Sequence, residues 1–408
     1  MSKGAERALP SAGGGSTAPE RWLLRALAGA LPGAGIEAVL WDGTRAGEPG
    51  GLRVRIRDRA ALWRLARNPE LHFGDLYSEG RIEIEGDLVA FLERAYRALE
   101  AGKRGRSSPL VRLWRDVAPR ARSIAAARDN IHRHYDLGND FYALWLDREA
   151  MQYTCAYFPE PGMTLEEAQR AKMHHVCRKL RLRPGQQVFE AGCGWGGFAL
   201  FMAREYGVRV RAWNISHEQV RFAVERARSA GLADRVEYVE DDYRNIRGAC
   251  DAFVSVGMLE HVGPENYARL GAVVDRTLAP NGFGLIHTIG RNRPGLMNGW
   301  IERRVFPGAQ PPALSQMSAI FEPFNFSVLD VENLRLHYAE TLRHWRARFQ
   351  AAADEVRASR GEEFVRAWDL YLAGSIAAFT TGSLQLFQVV FARGENNDLP
   401  ASRRHLYD

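Results

Sequence analysis

The chain has 408 residues, of which 46% are hydrophobic and 25% charged, and its net charge is +6. This composition is ordinary for a soluble globular protein and leaves room for about two to three domains. It contains no run of about 18 apolar residues, which excludes a membrane-spanning helix. Its four cysteines (155, 177, 193 and 250) have no C-x-x-C spacing, so we expect reduced thiols in a cytoplasmic protein.

The first hundred residues predict a tail followed by a small domain. Residues 1–20 contain a stretch rich in Gly, Ser and Pro, and we expect them to be disordered. Residues 21–100 alternate short helical patterns (21–31, 60–66 and 88–99) with strand patterns (36–40, 52–56 and 82–85), which indicates a small α+β domain. They contain no catalytic constellation, so we expect them to serve in docking or in contact between subunits.

A basic linker is predicted at 101–129. Between Lys103 and Arg133 there are nine Lys and Arg residues, against only Asp116 and Asp129. The segment is either a solvated linker or a surface attracted to anionic lipid headgroups. Nucleic acid is disfavoured as a partner because no recognition motif accompanies the charge. We predict no metal site at His132 and His134, since no third ligand lies nearby in the sequence.

The catalytic domain is predicted at 130–395. After a long helix at 165–182, strand and helix patterns alternate: strands at 188–191, 208–213, 236–240, 252–256 and 283–289, with helices at 198–206, 218–230 and 265–278. A strand at 326–331 and a final strand at 384–391 follow. This alternation predicts an α/β fold with a doubly wound, mostly parallel sheet, in which ligands bind at the carboxyl ends of the strands.

A glycine-rich turn joins the first of these strands to its helix. The strand ends at Glu190, and Gly192, Gly194 and Gly196 follow before the helix at 198–206. Glycines permit a sharp turn and close approach of a ligand to the backbone, and the exposed N–H groups of the helix face that ligand. A turn of this kind also closes sheets that bind nothing. The next strand ends at 214–219 without a clean ribose-binding acid, and no pyrophosphate turn is present, which favours S-adenosylmethionine over a dinucleotide.

Polar clusters follow five strands, at Glu190 and at 214–219, 241–243, 258–263 and 287–290. Solubility alone does not explain five such clusters at strand ends, so they predict a ligand site. The segment 300–326, which is rich in Pro and aromatic residues, is typical of a lid or a substrate channel.

Several motifs together resemble the cyclopropane-fatty-acyl-phospholipid synthase family. They are HYDLGNDFY (134–142), YTCAYF (153–158), AGCGWGG (191–197), DYRNI (242–246), SVGMLEHVG (255–263), IHTIG (286–290) and HYAETLRHW (337–345). The resemblance implies a class I methyltransferase fold. It also implies transfer of a methyl or methylene group from S-adenosylmethionine to the cis double bond of an unsaturated phospholipid acyl chain, giving a cyclopropane fatty acid.

The resemblance further implies a bound bicarbonate that acts as the base. By motif, its holders are Cys155, Glu260, His287 and Tyr338, with a main-chain group of Ile289. Each has a structural alternative: a small buried hydrophobe for the cysteine, a helix-terminus acid for the glutamate, a core histidine, and a lid-packing tyrosine.

For the cofactor, the sequence assigns residues to each part of the ligand. Glu190 and the three glycines would shape the methionine side, and Trp195 would form a wall. The remaining candidates are Tyr153 and Thr154 as a cover, Asn214, Ser216 and Gln219 toward the ribose, and Asp242 and Tyr243 toward the adenine.

The expected partners follow from the same resemblance. We expect peripheral association with an anionic membrane surface at its cytoplasmic side, contact with unsaturated phospholipid, and a homodimer formed through the first domain. Departures from the family pattern at Glu190, Asn214 and Ala309 leave the product open. A methyl-branched or methylene product, or a soluble or carrier-bound substrate, therefore stays an alternative.

Overall fold

The computed structural model describes residues 14–103 and 137–407. They fall into two compact units, the first built from the N-terminal residues together with 355–377, and the second from the remainder. The predicted basic linker lies almost wholly outside the described residues, as do the first thirteen residues of the predicted tail. Within the described ranges, no helix combines the length and apolarity needed to cross a bilayer.

The first unit is the small α+β domain that the sequence predicts. Its elements are α1 (Ala18–Gly29), β1 (Ile36–Val39), β2 (Arg45–Gly47), β3 (Leu52–Ile56), α2 (Arg59–Arg67), α3 (Pro69–Ser78), β4 (Ile82–Glu85) and α4 (Leu88–Lys103). The four strands form one sheet in the order β2-β1-β3-β4. In β3 the buried Leu52, Val54 and Ile56 alternate with two arginines, as a strand with one covered face requires.

Two boundaries of this unit differ from the sequence-based prediction. Helix α1 begins at Ala18, inside the predicted tail, because the main-chain N–H of Thr17 donates to Glu20 (2.7 Å) and the Glu20 side chain is buried. Residues 355–377, predicted within the catalytic domain, group with the first unit. There Arg366 donates to the carbonyl of Tyr77 (2.7 Å) and lies over its ring at 4.4 Å.

The second unit is built on a seven-stranded sheet. Its elements are α5 (Asn139–Ala143), α6 (Leu165–Lys179), β5 (Gln187–Ala191), α7 (Gly197–Tyr206), β6 (Arg209–Asn214), α8 (His217–Ser229), β7 (Val236–Glu240), β8 (Cys250–Val256), α9 (Tyr267–Thr277), β9 (Leu278–Gly290), α10 (Gly299–Arg304), α11 (Leu314–Phe321), β10 (Phe326–Asn333), α12 (Arg335–Ala351), α13 (Ala353–Arg360), α14 (Glu362–Thr380) and β11 (Gln385–Arg393). Of these, α13 and α14 lie mainly in residues 355–377 of the first unit.

The strand order is β10-β11-β9-β8-β5-β6-β7. Strands β9, β8, β5, β6 and β7 run parallel, and β11 pairs antiparallel with both β9 and β10. The predicted doubly wound, mostly parallel sheet is thereby confirmed.

The sheet has two differently covered faces. On one, which we call the α6 face, side chains such as Val188, Val254 and Leu285 pack with α6 and α7 in a hydrophobic cluster. On the other, the α9 face, Phe253 and Phe391 pack with residues of α9 and α11. Alternate residues of each strand therefore enter different layers.

The predicted lid is only partly separate from this core. Helix α11 contributes Met317, Ile320 and Phe321 to the cluster on the α9 face. A Cβ at Gly271 would lie 2.4 Å from the Ile320 carbonyl oxygen, so α9 and α11 are in close contact. The prediction of a lid is therefore wrong for 314–321, where apolar residues at helical spacing cover the sheet.

Candidate active site

A cleft opens at the carboxyl ends of the parallel strands, where a doubly wound sheet binds its ligands. Its walls come from the segments that follow β5, β6, β7 and β8, together with residues 151–154. All but two of the predicted cofactor residues line it. Those that do are Tyr153, Thr154, Glu190, Gly192, Gly194, Asn214, Gln219, Asp242 and Tyr243. Trp195, the predicted wall, lines it as well.

The two exceptions, Gly196 and Ser216, are not part of the cleft lining, and each has a role in the packing or capping of a helix. Gly196 precedes α7 with a φ of 76°, and a Cβ there would lie 2.6 Å from the Cβ of Ala223 and from the Tyr238 ring. Its small size serves helix packing. The Ser216 hydroxyl accepts from the main-chain N–H of Gln219 and caps α8. The predicted contact of these two residues with the cofactor stays a prediction.

Gly192 keeps the cleft open near its base. Its φ is 85°, in the left-handed region, and a Cβ would lie 2.8 Å from the Cβ of Met258 on the facing wall. Any larger residue would be strained and would narrow the space between the turn and that wall.

Three buried polar atoms of the cleft have no hydrogen-bond partner among the described residues: Glu190 Oε2, Gln219 Nε2 and the Tyr243 hydroxyl. Asn214 donates to Gln219 Oε1 (2.8 Å) and so leaves the amide nitrogen as the free donor. Buried polar groups are rarely left unpaired, which indicates a polar ligand. One carboxyl, one amide donor and one hydroxyl fit the ammonium, ribose and adenine groups of S-adenosylmethionine.

Lys172 on α6 backs this cleft, and sequence reasoning missed it. Its Nζ donates to Gln152 Oε1 (2.6 Å) and to Thr154 Oγ1 (3.0 Å), both on lining residues. Burial lowers the pKa of Lys172 to about 8, and burial raises the pKa of Glu190 to about 8, a rise that the lysine charge opposes. Near neutral pH the lysine is therefore charged and Glu190 is mainly protonated.

Asp147 fixes the segment that leads into the cleft. Its carboxylate accepts from the main-chain N–H groups of Ala150 (2.7 Å) and Gln152 (2.6 Å). Between them Met151 has a φ of 50°, unusual for a residue with a side chain, and it lines the cleft. A strained residue held by a buried carboxylate is a typical feature of a functional site. The sequence alone does not show this arrangement, because it depends on the tertiary structure.

The residues predicted to be catalytic are not part of the cleft lining. The Glu260 carboxyl accepts from the main-chain N–H of Ile289 (2.5 Å), and its other oxygen, Oε2, has no partner among the described residues. Burial raises the pKa of Glu260 to about 7. The Ile289 amide was predicted to face bicarbonate, but the structure directs it to Glu260, so Ile289 positions the glutamate.

His287 is buried two residues before Ile289 on β9. Its Nδ1 lies 3.1 Å from Nε2 of Gln388 on the adjacent strand β11. Its Nε2 has no hydrogen-bond partner in the described part of the chain. Burial holds the pKa of His287 well below its usual range, so the ring is neutral.

Cys155 and Tyr338 connect to Glu260 through main-chain contacts. The Cys155 thiol lies 3.9 Å from the carbonyl of Leu334, which also accepts from the N–H of Tyr338 (3.2 Å). The Leu334 N–H donates to Leu386 (2.9 Å), and Leu386 lies opposite Ile289 in the sheet. Burial raises the pKa of the Cys155 thiol, which keeps it protonated.

An aromatic cluster extends from the cleft to Tyr338. The Tyr153 ring lies 5.3 Å from that of Trp345, which lies 5.8 Å from that of Tyr338. The Tyr153 ring also lies 5.2 Å from that of Trp145 and 6.4 Å from that of Phe306. The cleft therefore continues into an apolar, aromatic environment.

Sequence comparisons identify the family of the chain. The family model for mycolic acid cyclopropane synthetase matches residues 122–389. The cyclopropane-fatty-acyl-phospholipid synthase of Escherichia coli K12 is 43% identical over 362 residues, covering 86% of this chain and 90% of that protein. A probable fatty acid methyltransferase of Pseudomonas putida is 37% identical over 384 residues, covering 90% of this chain and 95% of that protein.

Solved structures give the same result. The cyclopropane synthase MmaA2 from Mycobacterium tuberculosis superposes with a TM-score of 0.62 at 28% identity, covering 68% of this chain and 100% of that one. The mycolic acid cyclopropane synthase CmaA1, solved with SAH and CTAB, gives 0.61 at 29% identity, covering 68% and 99%. The resemblance found in the sequence motifs is confirmed: the chain belongs to the mycolic acid cyclopropane synthetase family and is an S-adenosylmethionine-dependent methyltransferase.

Proposed function

We propose that this enzyme transfers a methylene group to the cis double bond of an unsaturated phospholipid acyl chain and so forms a cyclopropane fatty acid. The observation that carries the proposal is the junction of two environments: a polar cofactor cleft, and an aromatic cluster that leads from its lining residue Tyr153 through Trp345 to Tyr338, one of the residues predicted to hold bicarbonate. The cyclopropane synthases among the relatives support this reading.

S-adenosylmethionine supplies an electrophilic methyl group on a sulfonium. The residues that would hold it are Glu190 for the ammonium group, Gln219 for the ribose and Tyr243 for the adenine, since each carries a buried polar atom without a partner among the described residues. An alkene is a weak nucleophile, so positioning carries much of the rate. Lys172 would contribute by fixing Gln152 and Thr154 in the wall.

The aromatic cluster suits a carbocation on the acyl chain. Aromatic faces stabilise positive charge, and the buried Trp145 and Trp345 exclude water that would convert the cation to an alcohol. The neutral thiol of Cys155 and the neutral ring of His287 add no competing charged nucleophile.

Bicarbonate would supply the general base that takes a proton from the new methyl group and lets the ring close. The chain offers it Glu260 Oε2 and His287 Nε2, two buried polar atoms that no described residue occupies. With its pKa raised to about 7, Glu260 is largely protonated under slightly acidic conditions and can donate to an anion. Ile289 supports the site by fixing the Glu260 carboxyl.

A second candidate uses the same cation without closing a ring: a hydride shift and loss of a methyl proton give a methylene product, or loss of a chain proton gives a methyl-branched chain that is still unsaturated. The fatty acid methyltransferase of Pseudomonas putida and the tuberculostearic acid methyltransferase of Mycobacterium tuberculosis (34% identical over 395 residues) favour it by their names.

The first unit would bring the enzyme to an anionic membrane surface. It exposes Trp22 on α1 and Trp63 on α2, and these helices carry two and three arginines, respectively. Tryptophan favours the interface between lipid and water, and arginine is attracted to anionic headgroups. The proposed cytoplasmic location and homodimer rest on the family resemblance alone.

The direct test incubates the full-length protein with S-adenosylmethionine and vesicles of unsaturated phospholipid. We expect a mass gain of about 14 units per modified acyl chain, the mass of CH2, and NMR signals of a cyclopropane ring. Signals of a methylene group instead would favour the second candidate. If several phospholipids show no mass gain but a soluble acyl substrate does, the proposal that the substrate is a membrane phospholipid is contradicted.

Membrane docking is tested with point variants. Deletion of residues 1–100 would remove the main-chain partners of Arg366, at Tyr77 and Ile82, and so disturb the fold. The double variant Trp22→Ala/Trp63→Ala should sediment less with anionic vesicles, whereas Leu399→Ala, also at an exposed apolar residue, should bind as the wild type does. Equal binding by all three proteins would contradict a role for these tryptophans.

A further inference from the structure

A row of polar side chains crosses three strands on the α6 face. His287 on β9 lies opposite Gln388 on β11, which lies opposite Glu332 on β10, so the three side chains point to the same side of the sheet. Helix α6 places Lys179 and His175 over this row. All but Glu332 are almost completely buried, which is a costly arrangement unless the groups are paired.

The pairing runs in one direction along the row. Lys179 Nζ donates to Gln388 Oε1 (2.7 Å), and Gln388 Nε2 lies 3.1 Å from His287 Nδ1. Glu332 anchors the outer end, because its carboxylate accepts from Lys179 and from His175 Nε2 (2.7 Å). Each member of the row therefore restricts the orientation of the next.

The lysine determines which way the Gln388 amide faces. A lysine ammonium group has three donors and no acceptor, so it must face the amide oxygen. The amide NH2 then faces His287 and donates to Nδ1. In a neutral imidazole, one nitrogen accepts and the other carries the hydrogen, which leaves the hydrogen on Nε2.

We propose that Lys179 and Gln388 are positioning residues that hold His287 in the Nε2–H tautomer, so that it presents a hydrogen-bond donor to an anionic oxygen in the active site. The Nε2 atom is buried and lacks a partner among the described residues, as expected for a donor that waits for a ligand. The place of His287 in catalysis rests on the proposed function, whereas its tautomer does not.

The tautomer is measured by NMR on protein labelled with 15N-histidine, since the shifts of the two ring nitrogens differ between tautomers. The His287 signals are those lost in His287→Asn. In the wild type we expect a pyrrole-type Nε2 and a pyridine-type Nδ1. A pyrrole-type Nδ1, or rapid exchange between the two forms, would overturn the proposal without any reference to activity.

The variant Gln388→Glu reverses the pairing. A carboxylate accepts from both neighbours, so the ring should place its hydrogen on Nδ1 and lose the Nε2 donor. We expect kcat to fall about 10- to 100-fold, the range for losing a hydrogen bond to a charged group, with the Kd for S-adenosylhomocysteine within about twofold of the wild type. An unchanged tautomer in this variant would contradict the proposal.

The matched control is Gln385→Glu, the same change three residues earlier on β11. The Gln385 amide is also buried and also has one partner on each side, Asn333 (2.8 Å) and the Gly382 carbonyl (2.7 Å), and neither is His287. It should leave the His287 signals in place. Lys179→Met, which removes the donor that orients the Gln388 amide, should give a mixture of His287 tautomers. A single Nε2–H form in this variant would show that Gln388 needs no lysine and would overturn the role proposed for Lys179.

If the wild type shows the Nε2–H tautomer and yet modifies no acyl chain, the proposed function fails and the assignment of the hydrogen stands. If acyl chains are modified and the hydrogen lies on Nδ1, the proposed function stands and the assignment of the hydrogen fails.

Discussion

Both faces of the seven-stranded sheet are buried and carry apolar clusters, but they differ in the ionisable side chains beside those clusters. The α6 face carries Glu190, His287 and Gln388 on its strands, and Lys172 and Lys179 on its helix. The α9 face is dominated by apolar side chains such as Phe253, Ile286 and Phe391. Both faces bury apolar clusters that stabilise the fold, but the α6 face also buries ionisable groups at a cost in free energy, so the groups assigned to the reaction are concentrated in one layer.

This contrast explains why the polar layer is so fully paired. Lys172 has two acceptors, and Lys179 has Glu332 and Gln388. The atoms left without partners among the described residues include Glu190 Oε2, Glu260 Oε2 and His287 Nε2, which are the atoms assigned to ligands. Variants at the polar groups should therefore mainly lower activity, whereas variants on the α9 face should mainly lower the free energy of unfolding.

The largest expected effect is that of Glu260→Gln, in the segment that follows β8 at the carboxyl end of the sheet. An amide can keep the bond to the Ile289 N–H and can donate to an anion, but it does not ionise, so it cannot exchange a proton with bicarbonate during the reaction. We expect kcat to fall about a thousandfold, within the range for loss of general acid or base catalysis. The affinity for S-adenosylhomocysteine, measured by calorimetry, should stay nearly unchanged. A fully active variant would remove the argument for an anion site.

Phe391→Ala tests the α9 face. The ring is fully buried between Phe321 and Phe326, with centroids at 4.9 and 5.3 Å. Its removal should lower the free energy of unfolding by about 3 kcal/mol or more, measured by urea denaturation. The kcat per folded molecule should stay within about twofold of the wild type. A large loss of kcat at full stability would show that the faces are not separate in function.

The pH dependence of cofactor binding tests Glu190. Its folded-state pKa, about 8, lies above the ordinary value of 4.5. Between these two pH values the folded state holds a proton that the unfolded state has lost, so the unliganded protein loses stability as the pH rises from 4.5 to about 8. A ligand with a positive ammonium group selects the ionised carboxylate. The affinity for S-adenosylhomocysteine should thus rise between about pH 6 and 7.5, by at most about tenfold per unit, and Glu190→Gln should flatten the profile. A flat wild-type profile would contradict a contact between Glu190 and the ligand cation.

The smallest expected effect is that of Asn214→Ala. Loss of its bond to Gln219 frees the amide to rotate, which should weaken S-adenosylhomocysteine binding by about three- to tenfold. The matched control Asn245→Ala removes an exposed amide that bonds to Asp241, and it should change the Kd less. Equal effects would assign the loss to general disturbance of the cleft.

Much of the fold was predictable because local patterns decide it. The strand, the glycine turn and the helix around Gly192 are local signals, and β7 was predicted at its observed bounds. The grouping of 355–377 with the first unit was not, because it depends on contacts such as Arg366 with Tyr77, far apart in sequence. The same holds for α11, whose burial depends on the close approach of Gly271.

The candidate site was predictable where it coincides with motifs and was missed where it depends on packing. Lys172, His175 and Lys179 recur on the buried side of α6, among apolar residues. Basic residues at helical spacing within an apolar stripe are a signal that sequence reasoning could have used. Gln388 offered none, because its role exists only through its neighbours across the sheet.

The most direct test of the central claim follows the proton that leaves the new carbon. The protein is given unsaturated phospholipid and S-adenosylmethionine with a CD3 methyl group. Removal of a deuteron from that methyl, as ring closure requires, gives a gain of about 16 mass units per modified chain. A gain of about 17 units would mean that all three deuterons remain and that the proton left the acyl chain, which would contradict the account.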